Sequence, residues 1–124
     1  MEIRDLLTEK RLFNLEEMVA ELSLEELKSK IDEGEIFHLV EVSNEDGFDQ
    51  DHIPGAINIP LNTLRESADQ KFRKYEQIVV YCKESTSSVG VASARLLQRL
   101  GFSNVLLFRG GKEVWQKAGY PLAG

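Results

Sequence analysis

The chain has 124 residues, a formal net charge of −6, 42% hydrophobic and 29% charged residues, which fits one soluble globular domain around a single core. The acidic balance excludes a protein that grips nucleic acid broadly, and the single cysteine, Cys82, excludes an internal disulfide and any metal or iron-sulfur site built from several thiolates. Charge is unevenly spread: residues 1–51 hold 16 acids against 5 bases, net −11, and residues 52–124 hold 5 acids against 10 bases, net +5, so the half that carries Cys82 is the half that tolerates a small anion.

The start, Met1-Glu2-Ile3-Arg4-Asp5, lacks the basic start and apolar core of a signal peptide, and no run of apolar residues approaches a membrane span. The expectation is a cytoplasmic protein with no membrane partner. Residues 1–20 place Ile3, Leu6, Leu7, Leu12, Phe13, Leu15, Met18 and Val19 among many charges, a rough helical pattern for one or two helices packed on the domain or on a partner. Residues 1–22 are therefore read as an N-terminal helical extension and 23–124 as the domain proper.

Ser23 and Glu26 have the spacing of a capping box, which predicts a helix from Leu24 to about Asp32 that Gly34 closes. Ile36 to Val42 has the β-branched and aromatic content of a strand buried on both faces. Near its end, Glu41 either orients loops of a site or hydrogen-bonds within its own loop. Ser43 to Asp51 reads as an acidic loop anchored by Phe48, and His52 to Pro60 as a turn feeding a short strand. For His52 two roles are open, a proton shuttle or a tie that holds the turn. Two short helical pieces are expected within Leu61 to Tyr75.

Next comes the stretch on which function turns. Gln77 to Cys82 is an apolar strand ending in the thiol; Lys83, Glu84, Ser85, Thr86, Ser87 and Ser88 follow, and from Val89 to Leu100 the apolar spacing is helical. A strand thus hands the cysteine to a helix N-terminus, where unpaired amides and partial positive charge favour an anion. A thiol is a nucleophile only as its thiolate, and a loop of small hydroxyl residues can curl its amides around one centre. The competing reading is a small apolar residue at a strand end. Asn104 to Phe108 is expected as the next strand; Gly110 and Gly111 permit close backbone approach to a neighbour, and a last helix near Glu113 to Lys117 buries Trp115. Repeated strand-then-helix order predicts a mainly parallel sheet with helices on both faces and a crevice at the strands' C-terminal ends.

Three segments in this order resemble the rhodanese-like family: His52-Ile53-Pro54-Gly55-Ala56 with Asn58, Ile59 and Pro60; Val79-Val80-Tyr81-Cys82; and Gly110-Gly111 followed by Trp115, Ala118, Gly119 and Pro121. The resemblance covers roughly Ser23 to Leu122 and implies a compact α/β domain with a central sheet of about five strands. It further implies a sulfurtransferase or sulfur carrier in which Cys82 takes a sulfane sulfur from thiosulfate or another small sulfur-containing anion. The resulting persulfide, cradled by Lys83, Glu84, Ser85, Thr86, Ser87, Ser88 and Val89, passes its sulfur to a thiol or cyanide-like acceptor. No cofactor or metal is implied.

This chain departs from the family pattern in two places. Active members often have glycine three residues after the cysteine and arginine two further on, where Ser85 and Ser87 stand here, and the loop as far as Gly101 is about two residues longer than in common members. A strand-end Asp-Val-Arg of many relatives is here Glu41-Val42-Ser43. The expectation is reduced or altered thiosulfate activity, with a catalytically weak interaction or regulatory module, docking a protein partner through residues 1–20, as the alternative. A phosphatase of the same fold is disfavoured, because the position for its phosphate-clamping arginine holds Ser88. A redox-sensing thiol leaves the other motifs unexplained.

Overall fold

The computed structural model describes residues 18–124. Its secondary structure runs α1 (Leu24–Asp32), β1 (His38–Glu41), α2 (Glu45–Gln50), β2 (Ile57–Asn58), a 3-10 turn (Leu61–Thr63), α3 (Leu64–Lys71), β3 (Ile78–Tyr81), α4 (Val89–Arg99), β4 (Val105–Leu107) and α5 (Gly111–Lys117). The strands pair in parallel in the order β2-β1-β3-β4, with Val40 beside Ile57 and Val80, and Val80 beside Leu107. Four strands form where about five were expected among the described residues. In place of a fifth, residues 20–22 lie along β4 as a single parallel bridge at Glu21–Leu107, held by Leu107 N–H to Ala20 O and Leu22 N–H to Leu107 O. The helical reading of residues 1–17 lies outside the described residues, whereas over 18–22, which that reading also took in, the chain has no helix and bridges β4 at Glu21 instead.

Strand alternation sorts the core into two layers. Val40, Ile78, Val80 and Leu107 pack against Leu64 and Ala68 of α3 and Ala94 and Leu97 of α4. Leu39, Val79 and Tyr81 face Leu27 of α1, Ile53 and Trp115 of α5. Helices therefore cover both faces, as parallel sheets require. The helix starts follow local chemistry. In α1 the Ser23 hydroxyl accepts from Glu26 N–H and the Glu26 carboxylate accepts from Ser23 N–H, and Gly34 ends it with φ +69°.

Two expectations are corrected. The first strand is shorter than Ile36–Val42: Ile36 is 98% exposed, because Gly34 and Glu35 are still leaving α1 and the ladder opens only at His38, whose amide donates to Gln77 O. The acidic stretch 43–51 contains a helix, α2, capped by the Asn44 side chain accepting from Gly47 N–H. A six-residue helix carrying a glycine leaves too little apolar periodicity to be read as one.

Candidate active site

β1 runs out to the sheet edge at β2, whereas β3 lies on its other side next to β4. The C-terminal ends of β1 and β3 thus flank the point where connections leave in opposite directions, the place where open α/β sheets form ligand crevices. A cavity of about 370 Å³ lies there, lined from one side by Val42, Ser43, Asn44 and Gly47 and from the other by Cys82, Lys83, Glu84, Ser87 and Val89. Glu41 and Lys112 complete its wall.

Cys82 follows β3 directly, is 6% exposed and carries a free thiol. Gly90, in the first turn of α4, backs the sulfur: a Cβ there would stand 3.6 Å from Sγ, an ordinary contact. The main chain of Cys82 is fixed independently. Its carbonyl accepts the Lys112 amide at 2.9 Å, and the carbonyl of Lys83 accepts the Glu113 amide at 2.9 Å. The close approach expected of the glycine pair is therefore to the cysteine loop itself.

Within that loop Ser87 N–H donates to Glu84 O at 3.2 Å, and the Ser87 hydroxyl accepts from Val89 N–H at 3.1 Å, tightening the chain just before α4. The Cys82 thiol donates to Glu84 O at 3.3 Å. The other residues singled out in this loop divide. Lys83, Glu84, Ser87 and Val89 border the cavity with Cys82. Ser85 instead turns to Glu113, to whose carboxylate its hydroxyl donates at 3.3 Å, while Thr86 and Ser88 are exposed.

Behind the cavity is a buried charged network. Glu41, fully buried, accepts from the Tyr81 hydroxyl at 2.8 Å, the Ser43 hydroxyl at 2.6 Å and the Lys112 ammonium at 3.3 Å. Lys112, 4% exposed, also donates to Gly47 O at 3.1 Å and Asp51 O at 2.6 Å, and pairs with the Asp51 carboxylate at 3.0 Å. Burial foremost, and then the Glu41 charge, push the Tyr81 hydroxyl far above its usual range, so it stays a neutral donor. It also accepts from Ile53 N–H at 3.1 Å, tying the His52 turn to β3. The network gives Glu41 both of the roles open to it: it ties Tyr81 and Lys112 across the cavity wall and accepts the Ser43 hydroxyl of its own loop. His52 serves as a tie, its ring 2.9 Å from Phe48 O and stacked on Phe48, and its backbone is paired with Ala123.

Lys112 was not singled out in the sequence. Its spacing carries the signal: it precedes Trp115 by three residues, so the two share a helix face, and Trp115 is buried. A lysine on an inward face needs a buried anion, and Glu41, buried at the end of β1, is that anion.

These features define an α/β domain with a free thiol at a strand-to-helix turn. The chain belongs to the rhodanese-like domain family, whose model matches residues 23–118. It is 30% identical over 105 residues to a protein named "Sulfurtransferase" from Allochromatium vinosum, covering 85% of this chain and 95% of that one. It is 28% identical over 97 residues to "Putative sulfur carrier protein YrkF" of Bacillus subtilis, covering 78% of this chain but 51% of that one; the chain spans about half the length of that relative. Among solved structures, the rhodanese-like domain of the Anabaena protein Alr3790 superposes with a TM-score of 0.78 at 28% identity, covering 86% of this chain and 80% of that one. No helix of the described residues is long and apolar enough to cross a membrane.

Proposed function

We propose that this protein is a sulfurtransferase or sulfur carrier that works through a persulfide on Cys82. The observation that carries the reading is that the cysteine following β3 lines a cavity at the sheet's switch point. The names of the Allochromatium and Bacillus relatives support the same class.

In the first step the Cys82 thiolate attacks the outer sulfur of a donor such as thiosulfate. A new sulfur–sulfur bond forms to Cys82, the donor's sulfur–sulfur bond breaks, and sulfite leaves with that electron pair. In the second step an acceptor nucleophile, a thiolate or cyanide, takes the outer sulfur and returns Cys82 to thiolate, so no external oxidant is needed. The proton passes from the thiol to water before the first step. Glu84 O, which accepts it in the resting thiol, is the group the sulfur must release, and a loop amide reaches the anion only if the turn rearranges, since Ser87 N–H is held by Glu84 O and Val89 N–H by the Ser87 hydroxyl. The persulfide occupies the space bordered by Ser87 and Val89.

Lys83 is the cation of the loop, and it is exposed beside Glu84. Lys112 is already shared among Glu41, Asp51 and Gly47. A doubly charged oxyanion thus finds little unshared positive charge, which supports slow turnover of thiosulfate. The alternative, a weak or inactive interaction module, is favoured by the thiol's hydrogen bond to a carbonyl rather than from an amide.

Intact mass after incubation with thiosulfate or a polysulfide tests the proposal. A gain of one sulfur atom in the wild type that is absent from Cys82→Ser is expected. A folded wild-type protein that never gains it leaves the interaction-module reading.

A further inference from the structure

One residue reaches both walls of the Cys82 cavity. The Lys112 backbone amide donates to Cys82 O at 2.9 Å. Its side chain crosses to the opposite wall, donating to Gly47 O at 3.1 Å and Asp51 O at 2.6 Å. Those two carbonyls belong to the last turns of α2 and the residue after it, the segment that carries Ser43, Asn44 and Gly47 along the cavity. Glu41 accepts the same ammonium at 3.3 Å and ties it to the end of β1.

The segment 43–51 has few other anchors. None of the residues of α2 is buried. Asn44 caps α2 from within the segment; from outside it, Asn58 Nδ2 reaches Ser43 O at 2.9 Å, Glu41 accepts the Ser43 hydroxyl at 2.6 Å, and the His52 ring stacks on Phe48 and lies 2.9 Å from its carbonyl. Phe48 gives it one apolar contact, partly buried against the second core layer. A charge-assisted hydrogen bond is about twice as strong as a neutral one. The Lys112 ammonium makes several of them while nearly excluded from water, and they hold the α2 end of the wall at Gly47 and Asp51, where the neutral ties at Ser43 and Phe48 do not reach.

We propose that Lys112 is a positioning residue that sets the width of the Cys82 cavity by clamping the 43–51 segment, and so selects sulfur donors and acceptors by size. The assignment of substrates rests on the sulfur-transfer reading above; the clamp itself does not. Lys112 touches no reacting atom in this scheme. Its side chain closes the far wall while its backbone fixes the near one, so the distance between the walls is set through one residue.

The test compares the alkylation rates of Cys82 in the full chain by iodoacetamide and by a bulky fluorescein maleimide, each normalised to its rate with free cysteine. Lys112→Met keeps the length of the side chain and removes its donors. The double variant Glu41→Gln with Lys112→Met removes both buried charges, which protects folding from an unpaired carboxylate. In wild type the small reagent is favoured. In both variants the preference falls about tenfold, since displacements on the order of 1 Å suffice for such effects. A preference within twofold of wild type in the folded double variant overturns the proposal. So does failure of the double variant to fold, which makes Lys112 a scaffold residue of the whole domain. Alkylation needs no persulfide, so a wild type that accepts no sulfur defeats the functional reading while leaving the clamp measurable.

Discussion

A Cβ placed on Gly111 would stand 2.5 Å from the carbonyl oxygen of Cys82, so the turn into α5 and the turn out of β3 are packed backbone to backbone. Gly111 also has φ +70°, where a side chain is strained in its own right. Gly111→Ala is therefore expected to cost at least about 1–3 kcal/mol from the backbone conformation, with the contact adding to it. The carbonyl cannot retreat without giving up the Lys112 amide. Chemical denaturation measures the loss. The thiol alkylation rate should change alongside it, because relief of the contact moves the cysteine loop; an alanine variant with wild-type stability and reactivity would contradict this packing.

Tyr81→Phe tests the network behind the cavity. The hydroxyl donates to Glu41 and accepts from Ile53 N–H, and all three groups are buried. Removing it leaves a buried amide without its partner and a buried carboxylate short of one donor, a cost of about 1–3 kcal/mol for an unsatisfied group and more where it is charged. Equilibrium unfolding should show that loss, whereas a change under about 0.5 kcal/mol would place Tyr81 among ordinary surface substitutions.

The motifs that made the fold legible are mostly the residues that tie elements together. Ile53 meets Tyr81 through its amide, Asn58 holds Glu41 O and Ser43 O, and Trp115 donates to Pro121 O. Each needs a particular residue type at a particular place, so each leaves a mark in sequence. Capping chemistry similarly fixed both ends of α1. The cavity was less legible. Cys82 and its loop could be placed because strand and helix patterns meet there. The facing wall, Ser43 to Gly47, is built from short polar residues in a six-residue helix, and the Lys112–Glu41 pair joins residues 71 positions apart. Periodicity shows which face of an element turns inward, but not which two inward faces come together.

Acid sensitivity follows from three carboxylates. Glu21 is held below its ordinary value of 4.5 first by its hydrogen bonds from Arg109. Glu26 is lowered foremost by the Ser23 amide and Glu76 by the Arg73 amide, with the His38 ring second. With folded values below unfolded ones, the unfolded chain binds more protons as pH falls through this range. Their contribution is complete above about 4.5 and is lost as pH drops through the folded values. Thermal midpoints should be insensitive to these groups at neutral pH and fall below 4.5. Glu26→Gln keeps an acceptor for the Ser23 amide and removes one titrating group, so its midpoint should fall less steeply with acid. An unaltered slope would remove Glu26 from this account.

A cation returned to the cysteine loop should change the donor that is used. Ser87 borders the cavity and stands where related loops often carry arginine, whereas Lys83 lies exposed beside Glu84. A guanidinium at 87 can hold a sulfonate-type oxyanion bidentately. The exchange sacrifices the bond from Val89 N–H to the Ser87 hydroxyl, a helix-start contact worth about 1 kcal/mol, which leaves a folded protein. Against that, a hydrogen bond to a charged group contributes about 1.5–3 kcal/mol, so Ser87→Arg should lower the KM for thiosulfate by about tenfold or more. The added charge serves an oxyanion donor and gives little to a polysulfide of lower charge density, so steady-state kinetics with both donors separate the effect from a general activation of the thiol. Equal gains on both would mean that the arginine acts on Cys82 itself. No gain on thiosulfate would mean that donor oxygens do not reach position 87, and the argument from missing cations would fail with it.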